Sequence, residues 1–214
     1  MNKIVLVSNL KGGTGKTSIC ELLAIYTVEK ELPCMVLDAD NQLDVYEDRK
    51  DDLLKHPEAS PVYDISALDV DANLPAVITK LRELEGIIYI DCPGSLDNNH
   101  LADLYQAADA VVVPFRYERK SVRDTGKFTR IFRKLNDSAK MIFVPNLVRA
   151  TSDNREAIKE ARNWSYEEFG QYGYITPRIR ECVHIEDCNT IALDSKQRFE
   201  VRYAFDAILE QITK

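Results

Sequence analysis

Short apolar runs recur along the chain, spaced widely enough for a helix between successive ones. Lys3-Ile4-Val5-Leu6-Val7, Met35-Val36-Leu37, Gly86-Ile87-Ile88-Tyr89-Ile90, Ala110-Val111-Val112-Val113 and Met141-Ile142-Phe143-Val144 are nearly unbroken apolar segments. That is the character of strands buried on both faces. Residues 18–26, 74–84 and 121–135 repeat apolar side chains at helical spacing, and residues 199–209 read as a helix packed on the sheet. Residues 44–71 are acidic and poorly periodic, which predicts loops and a short helix. Alternation of this kind predicts an α/β fold, a mostly parallel sheet with helices on both faces. No Ser/Gly linker, repeat or low-complexity tract interrupts it, so residues 1–214 read as a single domain.

Between the first strand and the first helix stands Lys11-Gly12-Gly13-Thr14-Gly15-Lys16-Thr17. An ordinary phosphate-binding loop is G-x-x-x-x-G-K-[ST], whose first glycine precedes the second by five residues. Counting back from Gly15 lands on Leu10, so that position fails, while the Gly15-Lys16-Thr17 ending is intact. In exchange the loop carries an extra cation at Lys11. Gly12, Gly13 and Gly15 let backbone N–H groups close on phosphate oxygens, and the helix N-terminus adds partial positive charge facing the same anion. Lys16 is placed to reach the β- and γ-phosphates, and the Thr17 hydroxyl to hold Mg²⁺. Strand, glycine loop and helix together make a nucleotide site.

Two strands end in carboxylates, at the edge where open α/β sheets bind ligands. The run Ile87–Ile90 closes on Asp91, a candidate for the Mg²⁺ shell, with Pro93-Gly94 turning the chain past the γ-phosphate. Asp38-Ala39-Asp40-Asn41-Gln42 offers acids spaced i, i+2, which point the same way in an extended segment. Asp40 is the candidate for orienting or deprotonating the attacking water, and for the metal shell alongside Thr17 and Asp91.

Composition narrows the class. The chain is 45% hydrophobic, yet no run approaches the ~20 apolar residues of a membrane span. Five cysteines without a C-x-x-C pair suit reduced thiols in a cytoplasm. Cys182, His184 and Cys188 lack standard zinc spacing and read as ordinary loop-side residues. The net charge of −7 is uneven: residues 1–107 hold 9 Lys+Arg against 19 Asp+Glu, residues 108–214 hold 19 against 16.

The cations concentrate on one helix. Arg119, Arg123, Lys127, Arg130 and Lys134 fall within about 80° of arc, with Phe128, Ile131, Phe132 and Leu135 roughly opposite as the buried face. Residues 116–140 carry 9 Lys+Arg and 3 Asp+Glu, a local +6. Doubled in a dimer, such a stripe suits duplex DNA bound through phosphates without base reading. A solvated face and a dock for an acidic partner are the other two readings. Arg178, Arg180 and Arg202 are rival cations.

Lys11–Thr17 resembles the deviant Walker A box of the ParA/MinD family of ATPases. Asp38–Gln42 is similar to that family's D-x-D-x-Q box, Ile90-Asp91-Cys92-Pro93 to its Walker B strand, and Ala108–Pro114 to its next strand. Asn41 stands where the family often has proline, and Asp44 where small residues are usual. The resemblance implies a P-loop NTPase fold, with ATP and Mg²⁺ as cofactors. It implies that Lys11 reaches across a homodimer to the partner's nucleotide, and that Lys11, Lys16 and Asp40 carry slow hydrolysis. It makes residues 11–17, Ser18, Asn146 and Pro177 the nucleotide contacts, the last two at adenine. Without an N-terminal DNA-binding extension, the chain is similar to the small ParA type. That type serves plasmid or mobile-element partition from the cytoplasm, associated with the nucleoid. Its ATP dimer binds DNA non-specifically and meets a centromere-binding adaptor. A MinD-like membrane switch needs a basic amphipathic C-terminal tail, which residues 199–214 do not supply. Positioning of a non-DNA cargo is an alternative. So is a metabolic ATP-dependent ligase of related fold, which normally lacks the Lys11 cation, and an iron–sulfur electron carrier would need a cysteine pair.

Overall fold

A computed structural model describes residues 1–69, 72–94, 101–149 and 155–214. Seven strands form one sheet in the order β3-β2-β4-β1-β5-β6-β7, and every pairing is parallel. They are β1 (Asn2–Val7), β2 (Cys34–Asp38), β3 (Asp64–Ala67), β4 (Gly86–Asp91), β5 (Ala110–Phe115), β6 (Lys140–Pro145) and β7 (Gly173–Ile175). The eight helices assigned among the described residues are α1 (Lys16–Glu29), α2 (Asp44–Lys55), α3 (Leu74–Glu83), α4 (Ala102–Ala107), α5 (Arg119–Leu135), α6 (Glu156–Phe169), α7 (Val183–Glu186) and α8 (Ser195–Thr213).

Parallel strands need crossovers, and the crossovers bury both faces of the sheet. Alternate residues of β1 therefore belong to different cores. Val5 and Val7 pack with α1 and α8 through Leu23, Tyr26, Phe205 and Ile208. Ile4 and Leu6 lie in the opposite layer with α3, α4 and α5, among Leu81, Leu104, Phe128 and Phe132. Phe143 stacks on Phe169 with ring centres 4.6 Å apart, fastening α6 to the same side.

Two strands and one helix depart from the apolar pattern. Residues 44–71 hold a twelve-residue α2 and the edge strand β3, where loops and one short helix were expected; positions 70 and 71 lie outside the described residues. β3 reads Asp64-Ile65-Ser66-Ala67 and β7 reads Gly173-Tyr174-Ile175. Both are short sheet margins with exposed side chains, so neither shows the apolar run that marks a central strand. Among the described residues no helix is long and apolar enough to cross a membrane.

Candidate functional site

The C-terminal ends of β1, β2, β4 and β6 meet along one edge, and the glycine loop lies across it. Gly15 caps α1 with φ 81°, a left-handed conformation that favours glycine. A Cβ there would also lie 2.5 Å from Asn146 Nδ2. That amide donates to the Thr14 carbonyl at 2.9 Å, pinning the loop from beneath. No side chain caps α1, so its first N–H groups face the loop's concavity. Thr14 is buried and donates to the Lys11 carbonyl at 3.2 Å, while Gly12 and Gly13 are exposed. Lys16 Nζ lies close to Gly94, since a Cβ on that glycine would stand 3.6 Å from it. Lys11 and Ser18 are half-buried at the rim.

The acids divide into two roles. Thr17 donates its hydroxyl to Asp91 Oδ2 at 2.9 Å, and Asp91 Oδ1 is buried without a partner. Burial pushes the Asp91 carboxyl up to about 7; Asp38 and Asp40 push the same way, Thr17 and Lys16 against. Asp38 sits opposite Asp91 in the β2–β4 register and is fully buried. It accepts from Asp40 N–H at 3.1 Å and from Tyr46 N–H, in the first turn of α2, at 3.1 Å. Asp38 is thus a support that holds α2 and Asp40 in place. Asp40 itself is half-exposed and accepts from Gln42 N–H at 3.3 Å.

The two residues assigned to adenine lie at the same edge. Asn146 follows β6 and is 2% exposed, with its Oδ1 unpartnered. Pro177 is exposed beyond β7. The segments after these strands stay together through a Val148–Arg180 bridge. Asn146 reaches the loop directly; no described contact joins Pro177 to it.

Arg119, Arg123, Lys127, Arg130 and Lys134 are all exposed along α5. Arg130 is tied to Glu168 of α6, while Arg123 and Lys127 stand 3.7 and 3.5 Å from Asp124. The expected apolar face needs correction at Ile131, which is 41% exposed. The buried side is formed instead by Val122, Thr125, Phe128, Thr129 and Phe132. Ile131 lies between the two faces, about 100° from its neighbour Phe132.

Three buried polar residues near the site have structural roles that the sequence does not announce. Asn9 is 1% exposed and bridges β1 to β5 and α5. Glu21, on the second turn of α1, is 3% exposed and has an unpartnered Oε1. Asp38 opens the Asp38–Gln42 box, whose pattern does not tell that this acid is fully buried. A polar residue inside an otherwise apolar strand–loop–helix run was the available signal, because burial obliges it to find partners. No group of three or more His, Cys, Asp or Glu among the described residues forms a metal-binding cluster. A Mg²⁺ that keeps most of its waters needs no such cluster.

Comparisons with known proteins agree with this fold. A comparison with curated protein sequences finds no match. Among solved structures, a plasmid partition protein from Borrelia burgdorferi bound to AMPPNP superposes with TM-score 0.75 at 18% identity, covering 99% of each chain. Apo McdA from Cyanothece gives 0.74 at 17% identity, over 98% of this chain and 99% of that one. Cobyrinic acid a,c-diamide synthase from Mycobacterium smegmatis, with ADP and magnesium, gives 0.66 at 21% identity, over 100% and 96%. At these identities the likeness is one of fold. The family description "CobQ/CobB/MinD/ParA nucleotide binding domain" matches residues 5–175, and the chain belongs to that family.

Proposed function

We propose that this chain is a Mg²⁺-dependent ATP hydrolase of the partition type, in which ATP drives homodimerisation and the dimer binds DNA without reading sequence. The observation that carries the reading is the division between two lysines. Lys16 Nζ lies beside Gly94, and its charge acts on the Asp91 carboxyl, which places it to serve the chain's own phosphates. Lys11 stands on the rim of the same loop, half-exposed, where a second subunit's triphosphate can meet it. A site serving only its own nucleotide has no use for that outer cation. The Borrelia structure bound to AMPPNP and the Mycobacterium structure with ADP and magnesium support ATP and Mg²⁺ as the ligands.

The residues present fit the metal. Asp91 keeps one buried oxygen free and the Thr17 hydroxyl lies beside the other, a hard oxygen set suited to Mg²⁺. Thr17 and Asp91 would hold the ion, which when bound neutralises phosphate charge. Asp40, held half-exposed by Asp38, positions the attacking water. Asn146 and Pro177 border the base. Electrostatic stabilisation and positioning account for most of phosphoryl-transfer catalysis, so slow turnover follows when a site is incomplete until a partner arrives. Residues 1–214 act as one switch unit, cytoplasmic and nucleoid-associated through the α5 cations. A centromere-binding adaptor would trigger hydrolysis.

Oligomeric state measured with ATP, ADP and no nucleotide, beside DNA retardation at two salt concentrations, tests the reading. A dimer and a shifted DNA band are expected with ATP only, the shift weakening steeply with salt. Turnover that requires a small carboxylic acid and ignores DNA would instead place the chain with the ligases of this fold.

A further inference from the structure

We propose that Asn9 is a positioning residue for Lys11, holding the loop's outer cation in register with α5 through Thr125 and with β5 through Pro114. The inference rests on Lys11 being the switch cation. Asn9 Nδ2 donates to the Pro114 carbonyl at 2.8 Å and to Thr125 Oγ1 at 2.8 Å. A carbonyl only accepts, so the amide nitrogen must face Pro114 and the amide oxygen must face the loop. There Oδ1 accepts from the Lys11 N–H at 3.4 Å, the longest of the three bonds. Asn9 is 1% exposed and Thr125 fully buried, so water does not replace these partners.

The geometry joins two features that sequence leaves separate. Thr125 lies between Arg123 and Lys127 in the chain, about 200° around the helix from either. One side of α5 therefore presents cations to solvent while the other side is bonded to the residue that registers Lys11. Thr129 extends the buried side by donating to the Thr125 carbonyl at 2.9 Å. Both attachments are made by the same seventeen-residue helix. Whatever loads the basic face acts on the helix that holds the nucleotide loop.

Thr125→Val keeps the side chain's shape and removes its oxygen, and Thr125→Ser restores the oxygen. In nucleotide-free protein, amide exchange at Lys11 should rise about tenfold or more in the valine variant. The serine variant should match wild type, with β1, β4 and β5 unchanged in both. With AMPPNP the valine variant should need several-fold more protein to dimerise, while ADP affinity stays within about twofold, since ADP is held by the chain's own loop. Unchanged Lys11 exchange in Thr125→Val overturns the proposal. So does faster exchange spread evenly over β1 and β5, which would mean a packing role only. Should the valine variant fail to fold, Thr125→Ala carries the same comparison. A wild-type chain that stays monomeric with ATP sinks the switch reading, and the exchange comparison still decides this one.

Discussion

The Thr17 hydroxyl donates to one oxygen of Asp91 while the other oxygen of that carboxylate is buried with no partner. Seventy-four residues apart in sequence, the two are brought together because α1 starts beside the end of β4. An unpaired acceptor in a dry place is costly and is retained where a ligand completes it. Asp91 ligates a cation only when ionised, and its carboxyl is pushed up to about 7. Mg²⁺ affinity should therefore be weak at pH 6, rise through pH 7 and level off above pH 8. Calorimetric titration of Mg²⁺ into the nucleotide-loaded protein checks it. Asp91→Asn should bind weakly with no such slope.

The two lysines should separate binding from switching. Lys16→Ala removes the inner cation and should lower nucleotide affinity and turnover together, by roughly 100-fold in rate. Lys11→Ala should leave ADP affinity near wild type yet abolish ATP-dependent dimerisation and lower turnover by about tenfold or more. Light scattering with ATP and ADP, beside phosphate release, distinguishes the two losses. Equal effects from both variants would remove the division of labour.

How much of this was legible follows from where each signal lies. The central strands β1, β4, β5 and β6 were readable because burial on both faces forces unbroken apolar runs. β3 and β7 sit at the margins, where Asp64, Ser66 and Tyr174 are exposed, so their sequences look like loop. Loop residues 11–17 were legible because glycine and cation spacing is dictated by phosphate geometry. The bracing roles of Asn9 and Asp38 were not, since their partners at Thr125 and Tyr46 are fixed by tertiary packing. The α5 cations were visible by spacing. The capture of Arg130 by Glu168 on the neighbouring helix was not.

That capture shapes the DNA prediction. Surface pairs such as Lys127–Asp124 are worth little and open readily to phosphate. Arg123→Glu with Lys127→Glu should abolish ATP-dependent DNA retardation while leaving dimerisation intact. Single neutralisations at Arg119, Arg123, Lys127 or Lys134 should each flatten the salt dependence, by about one unit of slope for every phosphate the dimer ceases to neutralise. Arg130→Ala should have a smaller effect on DNA, because Glu168 already holds that guanidinium. Unchanged retardation in the double variant would leave α5 a solvated face and move attention to Arg178, Arg180 and Arg202.

Gly15 and Asn146 are fitted to each other. Gly15→Ala places a methyl 2.5 Å from Asn146 Nδ2 in a backbone conformation of φ 81°, so both strain and collision follow. A loss on the order of 1–3 kcal/mol is expected. Asn146→Ala relieves the collision and releases the Thr14 carbonyl, so it should lower nucleotide affinity with a smaller stability cost. In the double variant the two losses should fall short of additivity, because the second substitution removes the first one's clash. Denaturant melts of the four proteins in the cycle check it.

Glu21 makes stability depend on pH in a direction opposite to ordinary carboxylates. Burial first, and then the charge of Asp48 on α2, pushes its carboxyl up to about 8; Asp91 and Asp52 add to this, and the Cys188 thiol, 3.4 Å away, opposes it. In the unfolded chain the group ionises near its ordinary value, about 4.3. Between those values the folded state holds a proton that the unfolded state has released. Stability therefore falls as pH rises from about 5 to 8 and levels off above, once Glu21 is ionised in both states. Glu21→Gln keeps the shape and abolishes the titration. It should flatten that slope and, at pH 8, exceed wild type by an amount on the order of a few kcal/mol. Stability curves at pH 5.5, 7 and 8.5 read the difference directly. Because Asp48 rides on α2, directly after the loop that carries Asp40, an ionised Glu21 repels the helix behind Asp40. Turnover should then decline above pH 8 in wild type and hold in Glu21→Gln, and identical alkaline limbs would separate stability from activity at this residue.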